Sequence, residues 1–266
     1  MREFFKRQLL RVFDPIAFRL GYRKKADLKN NLINNTTENQ YEKNNLLDNL
    51  FGLLKSIPFE PNHIVDVGAN HGTWTREVLR FFPDSHYTLL EPQTWMKDSV
   101  KDLLDSNPRI TFNAVGAGKE PGVFTFTIVD RDDSCSFRIS KKEAEERNLK
   151  QVDVVVVTLN EFIVEKNLPV PEIIKIDAEG WDLNVLSGAS NFFGKTEIFM
   201  VEAAIMNKKI TNTLLEVISF MDKNGYRIFD FTDMNRPFKP SVLWLVEVVF
   251  VKKNGIIDSH NWVTNK

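Results

Sequence analysis

The 266-residue sequence has one cysteine, Cys135, four histidines and no excess of either charge, its formal net charge being −1. A single thiol excludes an intramolecular disulfide and any metal site built from several cysteines, and it suits a reducing compartment. His63, His71, His86 and His260 never stand four residues apart, which excludes the helical two-histidine zinc pattern. Near-neutral charge removes the broad basic face that holds nucleic acid, so no nucleic-acid partner is expected. No apolar run reaches the roughly 18 residues that span a bilayer. The opening "MREFFKRQLLRVF" interrupts its apolar positions with charges, unlike the core of a secretory signal. The expected location is the cytoplasm.

Also missing is either glycine-rich phosphate loop. The run Ile64–Thr75, "IVDVGANHGTWT", looks like a buried strand, a turn and a helix start. A dinucleotide fingerprint needs a second glycine where Asn70 stands, and a P-loop needs a Lys-Ser/Thr pair that does not follow.

What is present is organised in two parts. The first 25 residues carry eight basic side chains against Glu3 and Asp14, interleaved with Phe4, Phe5, Leu9, Leu10, Phe13 and Phe18. This segment is either a basic amphipathic helix that touches an anionic membrane surface or a helix packed on the domain with solvated cations. The Asn-rich "LKNNLINNTTENQYEKNN" follows as a linker. The expected division is a basic helical extension and linker over residues 1–45 and a catalytic domain over 46–266.

From His63 onward, strand-like runs ("HIVDV", "HYTLLE", "ITFNAV", "EIIKID", "EIFMVEA") alternate with helix-like ones ("TWTREVLRFF", "TWMKDSVKDLLDS", "GWDLNVLSGASNFF"). Such alternation predicts an α/β, Rossmann-like, mostly parallel sheet with helices on both faces. "GVFTFTIV" and "QVDVVVVTL" interrupt it as a β-rich insertion after the third strand, without a crossover helix between them. "YRIFDFT" and "LWLVEVVFVKK" predict a final antiparallel pair.

An open parallel sheet binds ligands at the carboxyl ends of its strands, near the point where strand order reverses. There Asp66 would repel a pyrophosphate but suits an ammonium and a sulfonium, as in S-adenosylmethionine. Gly68, Asn70 and Gly72 form the turn, and the helix start after Gly72 can take the cofactor's carboxylate. Glu91, twenty-three residues after Gly68, can accept both ribose hydroxyls, and Asn113 can meet an adenine edge.

Lys175 sits among isoleucines and needs an acidic partner. Asp177, Glu179 and Glu202 fall at neighbouring strand ends, as candidates for taking a proton from an alcohol. Asp177 and Glu202 are equally candidates for holding a divalent metal. A structural ion-pair network is the plainer alternative. His71, Ser134, Ser136 and Trp181 are candidate acceptor contacts, the serines lying in the polar loop "DRDDSCSF" that would cover the site.

"IVDVGANHGTWT", "LLEP", "NAVGAGKEPGVFTF", "VVVVTLNEF", "IIKIDAEGWDLNVLSGA" and "IFMVEA" occur in an order and spacing that resemble the FkbM-family methyltransferases, over about residues 62 to 205. The resemblance implies a class I S-adenosylmethionine-dependent methyltransferase with a seven-stranded sheet. It also implies an O-methyltransferase acting on a hydroxyl of a sugar, glycan or natural product, as in polysaccharide biosynthesis. Asp66, Gly68 and Glu91 would hold the cofactor, and the Asp177-to-Asp182 segment with Glu202 would line the acceptor side. Asn160 replaces the acid of the family's usual "TLD". Two other readings stand beside it: a non-catalytic cofactor-binding or membrane-recruited module, and a nicotinamide oxidoreductase, which Asn70 disfavours.

Overall fold

The structure, a computed structural model, describes residues 45–208, 212–238 and 241–262. The basic segment expected at the N-terminus lies outside them. Seven strands form one sheet: β1 (His63–Val67), β2 (His86–Leu90), β3 (Ile110–Asn113), β7 (Ile173–Ile176), β8 (Ile198–Ala204), β9 (Tyr226–Asn235) and β10 (Leu245–Lys252). Their order is β3-β2-β1-β7-β8-β10-β9. All neighbours are parallel except at β10, which runs antiparallel to both β8 and β9. This is the expected mostly parallel, Rossmann-like sheet, and strand order reverses between β1 and β7.

The central strands are buried on both sides, and alternate residues feed two cores. Val65, Val67, Ile174, Ile176, Phe199 and Val201 point to one face. There they meet helices α6 (Leu159–Glu165), α7 (Asp182–Ser187) and α8 (Leu214–Lys223). Ile64, Ile173, Ile198 and Met200 point to the other, under α1 (Leu46–Leu54), α2 (Thr73–Leu79) and α4 (Lys101–Ser106). Period-two side-chain direction with apolar residues on both faces is what forces a helix layer onto each face. His63 and His86 open β1 and β2 in register, at the edge remote from the strand ends that bind ligands. Burial lowers the pKa of His63, whose ring nitrogens meet the Pro169 carbonyl at 2.8 Å and Thr88 Oγ1 at 2.9 Å.

The insertion after β3 is a separate three-stranded sheet. Its strands are β4 (Gly116–Ala117), β5 (Gly122–Ile128) and β6 (Lys150–Val157), in the order β4-β6-β5 with β5 and β6 antiparallel. A six-residue helix, α5 (Lys141–Glu146), lies in the polar stretch where no helix was expected, too short to serve as a crossover. The segment "TWMKDSVKDLLDS" is two pieces, α3 (Met96–Ser99) and α4, broken at the buried Val100 (φ −105°, ψ 9°). Helix α7 stops at Gly188, where an added Cβ would lie 1.9 Å from the Gly118 carbonyl oxygen. Within the "ASNFF" residues that follow, Ser190–Phe192 form a 3-10 turn.

Candidate active site

A cavity of about 560 Å³ opens at the carboxyl ends of β1, β2, β7 and β8, within the range of small-molecule sites. Its first wall is the turn after β1. Gly68 has φ 77°, and a Cβ there would lie 1.9 Å from the Asp177 carbonyl oxygen, so no other residue fits. Asn70 also adopts a left-handed conformation (φ 47°), which asparagine tolerates. Its N–H donates to Glu91 Oε2 at 2.9 Å, and the Gln93 N–H donates to Glu91 Oε1 at 2.9 Å. Burial raises the pKa of Glu91, against the pull of these two donors. Gln93 donates its Nε2 to the Asp132 carbonyl at 2.9 Å, and its Oε1 is buried without a hydrogen-bond partner.

The opposite wall is acidic. Lys175 is buried between Asp177 (3.2 Å) and Asp66 (3.7 Å), which supplies the partner its position demanded. Burial alone would lower the Lys175 pKa, but the adjacent Asp177 and Asp66 carboxylates hold it raised. After Asp177 the chain turns through Glu179 (φ 51°) and Gly180 (φ 88°). A left-handed glutamate costs about 1–3 kcal/mol, so surrounding bonds must enforce it. One carboxylate oxygen from each of Asp177, Glu179 and Glu202 lies within 4.8 Å of the others. Burial, then Asp177 and Asp182, push Glu179 up to about 9. Burial, then Asp177 and Glu179, raise Glu202 well above the ordinary range. Glu202 Oε2 is buried and has no hydrogen-bond partner. Carboxylates this close cannot all ionise at neutral pH, so the cluster stores a proton or invites a cation.

The insertion supplies the roof. Asp132, Asp133, Ser134 and Cys135 line the cavity, as expected of the polar loop. His71 Nε2 lies 2.8 Å from Asp132 Oδ2, and Arg138 Nε donates to the Glu179 carbonyl at 3.1 Å. Of the residues singled out in the sequence, Gly68, Asn70, Glu91, Ser134, Asp177, Glu179 and Glu202 line the cavity.

Six others do not line it. Asp66 is sealed beneath the turn, where its Oδ2 accepts from Thr75 Oγ1 at 2.6 Å and its Oδ1 faces Lys175. Gly72 turns its N–H back to the Ala69 carbonyl at 2.7 Å. Asn113 spends its amide on the Leu89 carbonyl at 3.3 Å, leaving Val115 to Ala117 on that side of the cavity. His71 is occupied outside with Asp132. Ser136 is buried against the Glu179 carbonyl, 3.2 Å from its Oγ. Trp181 packs on Phe137 and Phe124, with ring centroids 5.8 and 6.3 Å away. The sequence reading also missed a wall, made by Asp233, Asn235, Phe238 and Trp244 from the β9–β10 end. Phe238 and Trp244 pack edge to face at 5.0 Å. Two large aromatics in the short link between β9 and β10 are the signal the sequence offered.

The chemistry of the first wall fits S-adenosylmethionine. Glu91 keeps free lone pairs after its two backbone donors, the unpartnered Gln93 Oε1 awaits a donor, and Gly68 lets the turn close on the neighbouring loop. Together with the sheet, this is an S-adenosylmethionine-dependent methyltransferase. The Methyltransferase FkbM domain matches residues 66–228, and the chain belongs to that family.

Among solved structures, the chain is similar to the precorrin-6y C5,15-methyltransferase of Geobacter metallireducens GS-15. Identity is 12%, coverage 84% of this chain and 95% of that one, and the TM-score 0.44. It is also similar to a Clostridium thermocellum protein described as a putative rRNA-methylase (12% identity, 80% and 98% coverage, TM-score 0.47). A third is the Burkholderia thailandensis 1,6-didemethyltoxoflavin-N1-methyltransferase with bound S-adenosylhomocysteine (11% identity, 78% of each chain, TM-score 0.40). No curated protein matches the chain. No helix among the described residues is long and apolar enough to cross a membrane.

Proposed function

We propose that the methyl group is transferred to a hydroxyl oxygen of a sugar, glycan or related small molecule. The observation that carries this reading is the trio Asp177, Glu179 and Glu202 at the acceptor side of the cavity. A hydroxyl is a poor nucleophile until a base takes its proton. Glu202, with a buried and unpartnered oxygen, is assigned as that base, acting in its ionised form while the proton stored by the trio rests on Glu179, and Asp177 and Glu179 orient the hydroxyl.

Gly68, Asn70, Glu91 and Gln93 would hold S-adenosylmethionine, which when bound supplies an electrophilic methyl on sulfur. Asp66 acts from below, by fixing Lys175 and Thr75. With the cofactor bound, Glu202 would take the hydroxyl proton while Asp177 and Glu179 hold the oxygen toward that methyl. Asn235 and the Phe238–Trp244 pair give the acceptor side both amide and ring faces, which suits a hydroxylated ring.

A second reading, in which Asp177, Glu179 and Glu202 share a divalent cation that polarises the hydroxyl, is favoured by their mutual approach within 4.8 Å. Residues 46–266 are assigned the whole of the catalytic function; for residues 1–25 a helix packed on the domain stands beside a peripheral contact with anionic membrane. Loss of liposome binding, with activity kept, on deleting residues 1–25 tests the latter.

The decisive experiment is transfer of labelled methyl from S-adenosylmethionine to cell-derived glycans and nucleotide sugars, with and without chelator. Label in the glycan fraction supports the reading, and label only in protein or nucleic acid overturns it. Glu202→Gln is expected to lower turnover by about 100-fold or more with S-adenosylhomocysteine affinity unchanged, and unaltered turnover removes Glu202 as the base.

A further inference from the structure

Asp182 is fully buried and does not line the cavity, yet the acidic turn is folded around it. Its Oδ1 accepts from the Ala178 N–H at 2.9 Å, and its Oδ2 from the Gly180 N–H at 3.1 Å. Glu179 lies between those two amides, so Asp182 brackets it on both sides. The same Oδ2 accepts from Nδ2 of Asn212 at 2.9 Å.

Asn212 is itself buried and stands just before α8, whose first turn is closed by a capping box between Thr213 and Glu216. Its Nδ2 also donates to the Glu202 carbonyl at 3.1 Å, and its own carbonyl accepts from the Ala204 N–H at 3.0 Å. One side-chain amide thus spans the turn after β7 and the end of β8, the two places that carry the carboxylate trio. The cofactor wall has separate supports, from Glu91 to Asn70 and Gln93.

We propose that Asp182 and Asn212 form a clamp that sets the spacing of Glu179 and Glu202, making both positioning residues for methyl transfer. This rests on the reading that those carboxylates serve the acceptor. Asn212 is the informative site because it touches both Asp182 and the Glu202 backbone without reaching the cavity.

The test compares wild type with Asn212→Ala, the isosteric Asn212→Asp, and Asp182→Asn, each nitrogen-15-labelled and loaded with S-adenosylhomocysteine. The amide resonances of Ala178, Glu179, Gly180 and Glu202 are expected to move, while those of Gly68, Asn70 and Gln93 stay in place. Exchange of the Ala178 and Gly180 amide protons is expected to quicken by about tenfold or more as their bonds to Asp182 open more often. S-adenosylhomocysteine affinity should hold. kcat toward the acceptor returned by the methyl-transfer screen should fall by about tenfold or more, with KM for S-adenosylmethionine unchanged. A purely structural role would instead lower the melting temperature and quicken exchange throughout the domain. Unmoved Glu179 and Glu202 resonances, an equal disturbance of the cofactor wall, or unchanged kcat overturns the clamp. Wild-type transfer to nitrogen or carbon, or to no acceptor, defeats the hydroxyl reading alone and leaves the resonance pattern to decide the clamp.

Discussion

Replacing Glu91 by glutamine alters one atom of the cofactor wall and nothing of its shape. Glu91 is 3% exposed, and each of its oxygens accepts a backbone N–H at 2.9 Å. In the glutamine variant one of those N–H groups must face an NH2, a buried donor left without an acceptor. That cost, about 1–3 kcal/mol, falls on the free and bound protein alike, but the cofactor's hydroxyls also lose a charged acceptor, and such a bond contributes about 1.5–3 kcal/mol. Taking about 2 kcal/mol as the net loss in the bound state, affinity for S-adenosylhomocysteine falls about thirtyfold. Calorimetric titration of both proteins measures this directly. The wild type carries a second signature. Burial raises the Glu91 pKa above its ordinary 4.5, and the ionised form is the better acceptor, so binding weakens as pH falls through that raised value. The glutamine variant lacks this dependence. A variant that binds as tightly as wild type, or that keeps the same acid dependence, refutes the assignment of Glu91 to the cofactor.

Gly68→Ala places a Cβ 1.9 Å from the Asp177 carbonyl oxygen at φ 77°, so it should abolish S-adenosylhomocysteine binding in calorimetry and lower the melting temperature; normal binding would disprove the close approach. Lys175→Met leaves Asp66 and Asp177 without their buried cation, an expected loss of about 3–5 kcal/mol in chemical denaturation, and a loss under 1 kcal/mol (about the value of a surface pair) would show that the triad is not coupled. Glu179 and Asp182, pushed up to about 9 and about 7 from 4.5 and 3.8, bind more protons folded than unfolded between those limits. Stability is therefore greatest toward the acid end of that window and falls as pH rises through it. Melting curves across the window should show the decline, and Glu179→Gln should flatten it; an identical slope in the variant rejects the cause.

The parallel sheet was legible because β1, β7 and β8 are short apolar runs separated by helical ones, and one wall of the cavity because Gly68, Asn70 and Glu91 are polar or glycine residues at strand ends. Three further helices were equally open to reading. Ser140-to-Glu143, Thr158-to-Glu161 and Thr213-to-Glu216 each have the hydroxyl-x-x-glutamate spacing of an N-terminal cap, and in each the hydroxyl accepts from the glutamate N–H. The directions of Asn113 and Ser136 were not legible, because a residue's place at a strand end does not say which carbonyl its side chain will find. The Asn212 link was out of reach for a different reason. It joins residues thirty apart in sequence, and no local pattern marks the pair.

Asp66 and Lys175 are charged residues set in the otherwise apolar strands β1 and β7, and they are direct neighbours across the β1–β7 pairing. Asp177 lies two residues beyond Lys175, on the same side of the strand, and reaches the cavity. One cation therefore serves a sealed carboxylate beneath the cofactor turn and an open one facing the acceptor. Without it, burial would favour protonating Asp66, whose pKa is already raised by desolvation against the pull of Lys175. The Gly68 turn rests directly on the Asp177 backbone, so the cofactor wall and the acceptor wall meet at a contact too tight for a β-carbon. A change at Asp66 or Lys175 is therefore felt by both walls, because the one cation is shared between them. It follows that Asp66→Asn, although remote from the cavity surface, should disturb acceptor turnover as well as cofactor affinity, whereas a residue serving the cofactor turn alone would alter only the second.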